Sequence, residues 1–235
     1  MKPDNFISIP FTTKNLDVYV VRKTILNAIK ENLPKFQGQL LDVGCGKMPY
    51  RKYILEHSGT QKYVGLDLDN AHIYSEEVRP DYRWDGVHMP FENNSFDCVF
   101  ATEVLEHCPE PEIMLNEIHR VLKEEGILFF TTPFFWTLHE VPNDQYRYTP
   151  FSLQRHLENC GFKQIEIKAG GGWNASLAQM LGLWVNRSPL SKRRKKLFAR
   201  IIKPVIHYLL KKDEIPVQFN SSQMITTLYG TASKK

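Results

Sequence analysis

The sequence predicts an α/β fold built on a mostly parallel sheet, and three observations carry that prediction. Short apolar runs, "QLLDV", "KYVGLDLD", "FDCVFAT" and "GILFFTTP", alternate with segments of helical periodicity, the pattern of a sheet whose strands are joined by right-handed helical crossovers. The first run ends in glycines, "LLDVGCG", as a buried strand does when it delivers a tight turn. A chain of 235 residues, 42% hydrophobic and 24% charged, has the size and composition to bury a sizeable core.

Taken in order, the elements begin with a helical lead-in over residues 1–38. Val18, Val21, Ile25, Leu26, Ile29 and Leu33 recur at helical spacing there, and Pro34 and Gly38 close the element. After the first strands, "PEIMLNEIHRVLKEEG" reads as a helix whose apolar face is Ile113, Ile118, Val121 and Leu122. "SLQRHLENCGF" reads as a second helix, ended by Gly161. Two late strands, "KQIEIKAG" and "MITTLYGTAS", could add an antiparallel edge. Between them, residues 173–218 do not fit the sheet pattern and are read as a helical insertion within a single domain over 1–235.

Composition narrows the function classes. No apolar run reaches the roughly 18 residues that a bilayer span requires, and "MKPDNFISIPF" lacks the basic and apolar regions of a secretory leader, so a cytoplasmic chain is expected. The four cysteines, Cys45, Cys98, Cys108 and Cys160, lack paired CxxC spacing and read as reduced thiols. The net charge of +4 is mild and concentrated in "KRRKK". Basic residues are not mixed with aromatics over a broad face, which disfavours a nucleic-acid partner.

The glycine turn is the first candidate site. Gly44 and Gly46 let the backbone turn sharply and approach a ligand, but Pro49 stands where a dinucleotide fingerprint needs its third glycine, so the pyrophosphate reading loses support. Asp42 ends the first strand. Asp67, at the tip of the second and about 20 residues further on, is placed to accept both hydroxyls of a ribose. Asp85 precedes a loop at the third tip, where it could accept from an exocyclic amine. Three acids without a phosphate-binding lysine suit a nucleoside that carries a positive charge.

These runs, with "WDGVHMPFENNSFDCVFATEVLEHCPEPEIMLNEIHRVLKEEGILFFTTP" and "LQRHLENCGF", together resemble the class I S-adenosylmethionine-dependent methyltransferases of the type 11 group, in the family's order over most of residues 39 to 170. The closing "TTLYGTASKK" is similar to that family's last strand. The resemblance implies a doubly wound sheet of seven strands with the inserted basic helical segment before the last. It further implies that Asp42 and the backbone of Gly44, Cys45 and Gly46 hold the methionine portion of S-adenosylmethionine, Asp67 and Leu68 the ribose, and Asp85, Gly86 and Val87 the adenine. Glu103 would lie beside the sulfonium. Lys47 departs from the family, where a further small residue is common.

Methyl transfer is an in-line displacement, so the protein must align the acceptor and, for a hydroxyl, remove its proton. His139, Asp144, Arg147 and Tyr148 gather in a loop directly after the fifth strand. His139 is the expected base, Asp144 its orienter, and Arg147 and Tyr148 substrate-binding groups; the alternative is an Asp144–Arg147 ion pair bracing the loop. Trp136, with Phe134 and Phe135, could wall an apolar acceptor pocket or belong to the core. His107 is a second candidate for the base, or with Glu106 it caps the following helix. "EVLEH" is also similar to the metal-binding motif of ubiquinone-biosynthesis O-methyltransferases and small-RNA 2′-O-methyltransferases. Glu103, Glu106, His107 and His139 are therefore candidate ligands of a divalent ion. The metal is not favoured, because the same residues are common in type 11 enzymes that need none.

The favoured function is O-methylation of a small molecule, sugar or lipid-linked intermediate. The rivals are an RNA or protein methyltransferase, and an inactive cofactor-binding scaffold at a membrane or partner. In the insertion, the apolar pairs Leu197–Phe198, Ile201–Ile202, Val205–Ile206 and Leu209–Leu210 recur every turn, making residues 192–212 an amphipathic helix with a basic outer face, kinked at Pro204. Packing as a lid or in a homodimer is favoured over peripheral contact with an anionic membrane.

Overall fold

The computed structural model describes residues 6–69 and 78–235; residues 1–5, part of the predicted lead-in and of the stretch read for a leader, lie outside it, as do residues 70–77. Seven strands form one sheet: β1 (Gln37–Val43), β2 (Gly59–Leu68), β3 (Tyr82–Trp84), β4 (Phe96–Thr102), β5 (Leu122–Pro133), β6 (Lys163–Ala169) and β7 (Thr227–Ser233). Their order is β3-β2-β1-β4-β5-β7-β6. The helices are α1 (Leu16–Asn32), α2 (Arg51–His57), α3 (Pro111–Val121), α4 (Pro150–Asn159), α5 (Trp173–Arg187) and α6 (Lys192–Lys211).

β1 pairs in parallel with both β2 and β4, so the strand order reverses there and a crevice opens beyond the carboxyl ends of β1 and β4. The period-two alternation of side chains builds a core on each face. Leu41, Val43, Leu66, Leu128 and Phe130 join α3 and α4 on one side; Leu40, Phe100 and Phe129 join α1 and α2 on the other.

The two late strands do add an antiparallel-paired edge to the sheet. β7 is the antiparallel strand, but it lies inside the sheet, between β5 and β6, and β6 is the edge. Burial explains the placement. β7 is buried along almost its whole length and so needs a neighbour on each side, whereas β6 carries exposed charges that blunt an edge. Its Lys168 pairs with Glu166 and Glu31, at 2.7 Å each. One correction concerns α3, which stops at Val121; Leu122 pairs with Phe96 and opens β5 instead of completing the helix face.

The 173–218 segment supplies α5 and α6. α5 lies on α1, and so closely that a Cβ on Gly182 would come within 2.2 Å of the Leu16 carbonyl oxygen. α6 runs as one helix through Pro204. A third apolar cluster, including Leu16, Val20, Ala178, Val185, Ala199 and Ile206, joins the three helices. Among the described residues, no helix is long and apolar enough to cross a membrane.

Candidate functional site

The glycine turn knits three strand tips together. The Gly44 and Cys45 amides donate to the Leu66 carbonyl at 2.9 and 3.1 Å, and the Gly46 amide donates to Asp67 Oδ2 at 3.1 Å. Gly44 and Gly46 take φ values of 66° and 48°, where a side chain is strained. Above the turn sits Val104, whose Cγ2 would lie 2.5 Å from a Cβ on Gly44. Beneath it, Asp42 is buried and accepts from the Tyr63 hydroxyl at 2.6 Å. Burial pushes the Asp42 carboxyl up to about 8, against the opposing effect of that hydrogen bond. Cys45 is buried too, which raises its thiol.

Asp67 also accepts from the Leu68 amide at 2.9 Å, and burial raises its carboxyl. At the third tip Asp85 closes a turn, accepting from the amides of Val87 and His88 at 2.8 and 2.9 Å; these bonds hold its carboxyl below the usual range. Gly86 has φ 89°. Leu68 and Val87 are both exposed beside it, an apolar shelf at the tips of β2 and β3 that suits the face of a flat ring.

At the tip of β4, Glu103 has φ 53°, a left-handed conformation unusual for glutamate. Its amide donates to the Thr131 carbonyl at 3.0 Å, and its Oε1 accepts from the Thr131 hydroxyl at 2.8 Å. Burial raises its carboxyl to about 7. Glu106 is fully buried and neither of its carboxylate oxygens has a hydrogen-bond partner. Burial first, and the nearby Glu103 second, push its carboxyl far above the usual range.

His107 approaches Glu106 Oε1 at 3.8 Å through Nε2, while its Nδ1 lies 3.1 Å from the Asn143 carbonyl. A carbonyl only accepts, so Nδ1 carries the proton and Nε2 of the neutral ring is the bare nitrogen. His139 stands edge-on to His107 with ring centroids 4.7 Å apart. Its Nδ1 is 3.3 Å from Asp144 Oδ2, an oxygen that also accepts from the His139 amide at 3.2 Å. Burial lowers the pKa of His139 below its ordinary value.

The structure thus brings together His107, His139, Asp144 and Glu106, and it separates other expected members. Donor atoms of Glu106, His107 and His139 lie within 4.8 Å of one another; Glu103 is not part of that group and turns to Thr131 instead. Arg147 forks onto Asp144 at 2.6 and 2.8 Å, the ion pair expected as the alternative to its holding a substrate. Tyr148 is turned inward, buried, with its hydroxyl donating to the Leu105 carbonyl at 3.0 Å, which removes it from a substrate wall. Trp136 is half-buried under the Arg187 guanidinium of α5, 4.9 Å from the ring centroid, and ties the loop to the insertion. Thr131, Asn143 and Val104 went unseen in the sequence. A threonine interrupting the apolar run of β5 is the one signal that could have marked Thr131.

A sheet in this order, with a glycine turn at its switch point and acids at three successive strand tips, defines a Rossmann-like fold with a ligand crevice. Solved structures share the architecture. A methyltransferase from Archaeoglobus fulgidus matches at a TM-score of 0.56 with 17% identity, over 91% of this chain and 94% of that one. Phosphoethanolamine N-methyltransferase 2 of Haemonchus contortus, solved with S-adenosyl-L-methionine, matches at 0.56 with 16% identity, over 98% of this chain and 59% of that one. A family model described as a methyltransferase domain covers residues 41–130. The chain is also similar to sterol 24-C-methyltransferase of Schizosaccharomyces pombe, 37% identical over 38% of this chain and 26% of that protein. Malonyl-[acyl-carrier protein] O-methyltransferase of Legionella pneumophila is 30% identical over 56% of this chain and 51% of its own length. Over residues 41–130 the chain is thus similar to methyltransferase domains, and these relatives are methyltransferases by name. The chain spans between about a quarter and a half of the length of these curated relatives.

Proposed function

We propose that the protein transfers a methyl group from S-adenosylmethionine to a hydroxyl of a small-molecule or lipid-linked acceptor. The residues fit the cofactor: the Gly44–Gly46 turn and Asp42 for the methionine portion, Asp67 for the ribose, and Asp85, Gly86 and Val87 with Leu68 for the adenine. The crowding of Val104 on Gly44 and the apolar shelf beside Gly86 support this assignment. A cofactor held there would supply an electrophilic methyl on a sulfonium for transfer to the acceptor oxygen. Buried Glu103, just past the end of β4, would balance a positive charge there once ionised.

The observation that carries the hydroxyl assignment is the His139–Asp144–Arg147 chain on the loop after β5. Arg147 fixes Asp144 by two short hydrogen bonds, and Asp144 Oδ2 accepts from the His139 amide and lies 3.3 Å from His139 Nδ1, close enough to orient the ring though that nitrogen makes no hydrogen bond here. Nε2 of His139 is then the nitrogen that takes the acceptor's proton. Both oxygen and carbon acceptors occur among the relatives, whose names give an acyl-carrier O-methyltransferase and a sterol C-methyltransferase.

His139→Ala is expected to leave cofactor affinity unchanged by calorimetry and to lower transfer by a factor on the order of 10²–10⁴. Unchanged turnover removes His139 from the chemistry. Labelled methyl incorporation into fractionated cell extract identifies the acceptor; label in RNA or protein, instead of the small-molecule and lipid fractions, overturns the acceptor class.

One observation favours a second reading. The unpartnered, buried Glu106 carboxylate with two imidazoles beside it fits a divalent ion, and a mixed nitrogen and oxygen set suits a transition metal better than magnesium. Here His139 is a ligand rather than a base. Metal analysis of the purified protein and retention of activity in chelator separate the two readings.

A further inference from the structure

α5 and α6 form an antiparallel hairpin in which α5 buries against α1 and α6 against α5, yet both helices leave an apolar stripe outside. On α5, Trp173, Leu177, Met180 and Trp184 recur at three- and four-residue intervals and are all exposed, Trp173 by 63%. On α6, Leu197, Ile201, Val205 and Tyr208 do the same, Tyr208 by 62%. Trp184 of the α5 stripe packs against half-buried Phe198, the neighbour of Leu197, with ring centroids 5.1 Å apart, which sets the two stripes side by side. Isolated exposed apolar residues are ordinary; two adjoining stripes are not.

Charge indicates what covers this face. From Lys192 to Lys212 the chain holds no acidic residue, and Arg193, Arg200 and Lys211 border the α6 stripe on the side away from α5. A second copy seated symmetrically would press two acid-free cationic rows together, which opposes a homodimer through this surface. An anionic lipid surface instead offers phosphates to the arginines and lysines and an acyl boundary to the leucines and isoleucines. The indole and phenol rings suit the interface between them.

We propose that the α5–α6 hairpin lies flat on an anionic bilayer surface, with its two apolar stripes buried among the lipids and its basic border on the headgroups. The hairpin touches the acceptor loop at one point. Arg187, at the end of α5, covers Trp136 of the loop that follows β5. Docking therefore brings His139 toward the leaflet, and a lipid-linked acceptor need not leave it; this last step rests on the proposed methyl transfer, whereas the docking itself does not.

The test is vesicle co-sedimentation of the whole protein with phosphatidylglycerol–phosphatidylcholine vesicles and with phosphatidylcholine alone. Binding to the anionic vesicles, weakened by salt, is expected, together with quenching of indole fluorescence by brominated acyl chains. Leu177→Glu with Ile201→Glu, both on the outer surface, is expected to weaken vesicle binding by at least about tenfold while the melting temperature and S-adenosylmethionine affinity stay as in the wild type. Failure of the wild type to bind anionic vesicles, or equal binding by the double variant, overturns the proposal. So does a wild-type dimer by light scattering that the same substitutions dissociate, without vesicle binding, since the face then belongs to a second copy. Because lipid binding is read without turnover, its failure leaves the methyltransferase reading intact, and absence of methyl transfer leaves the docking result intact.

Discussion

Glu103 shows how a single position can be both costly and useful. A left-handed glutamate is strained by about 1–3 kcal/mol, and the strain persists because β5 holds both its amide and its carboxylate through Thr131. Its carboxyl, raised to about 7 by burial, ionises more readily when a positive charge arrives. S-adenosylmethionine should therefore bind more tightly as the pH rises from about 6 to 8, while S-adenosylhomocysteine, whose sulfur is neutral, should show a much flatter profile. Calorimetry of both ligands on wild type and Glu103→Gln decides it; equal slopes for the two ligands would dissociate Glu103 from the sulfonium. Gly44→Ala combines strain at φ 66° with a clash against Val104, and should cost about 1–2 kcal/mol of stability and most of the cofactor affinity, measurable by thermal melts with and without ligand. At this scale the sequence was partly legible. Spacing placed His139 and Asp144 in one loop, and local contact joined them. Nothing in the one-dimensional pattern could tell that Tyr148 turns inward, because a tyrosine carries an apolar ring and a polar tip and fits either direction.

Among the elements, β1 carries a stability cost that follows from its function. Asp42 belongs to the cofactor end of the strand, yet it is buried with Tyr63 as its hydrogen-bond donor. Its carboxyl titrates near 8 in the fold and near the ordinary 3.8 in the unfolded chain, so the folded form disfavours ionisation. The penalty is absent below about pH 4, grows between about 4 and 8, and is complete above that. Asp42→Asn should consequently flatten the fall of melting temperature with pH and gain most over the wild type near pH 8; scanning calorimetry from pH 5 to 8.5 reads this directly, and an unchanged slope would refute it. Element types were legible wherever a period was sustained, as in α1 and β1, and where glycines marked the turn. The positions of β7 and β6 were not, because the order of strands in a sheet is a long-range property. It becomes readable only by noticing that β7 has no exposed face whereas β6 has charged residues to spare.

For the molecule as a whole, the insertion and the crevice act through one joint. Residues 173–218 could be recognised in the sequence as surplus to the sheet, but α5 is apolar nearly all round. Which of its sides stayed exposed was fixed only by the closeness of α1 at Gly182. At the end of α5, Arg187 donates to Asp17 of α1 at 3.0 Å and covers Trp136 of the acceptor loop. This one side chain connects the lead-in helix, the hairpin and the loop bearing His139 and Asp144, while touching none of the residues assigned to the cofactor. A partly exposed ion pair adds little to stability, and a cation over a half-buried ring contributes on the order of 1 kcal/mol, so Arg187→Ala should lower the melting temperature only modestly. The loop, however, loses its tether on the side from which the acceptor arrives. The affinity for S-adenosylmethionine should hold while kcat/KM for the acceptor falls about five- to thirtyfold, the factor that corresponds to 1–2 kcal/mol of lost positioning. Parallel measurement of cofactor affinity and acceptor kinetics tests it: an equal loss in both would show that Arg187 supports the sheet in general, and no loss in either would show that the hairpin and the acceptor loop are mechanically independent.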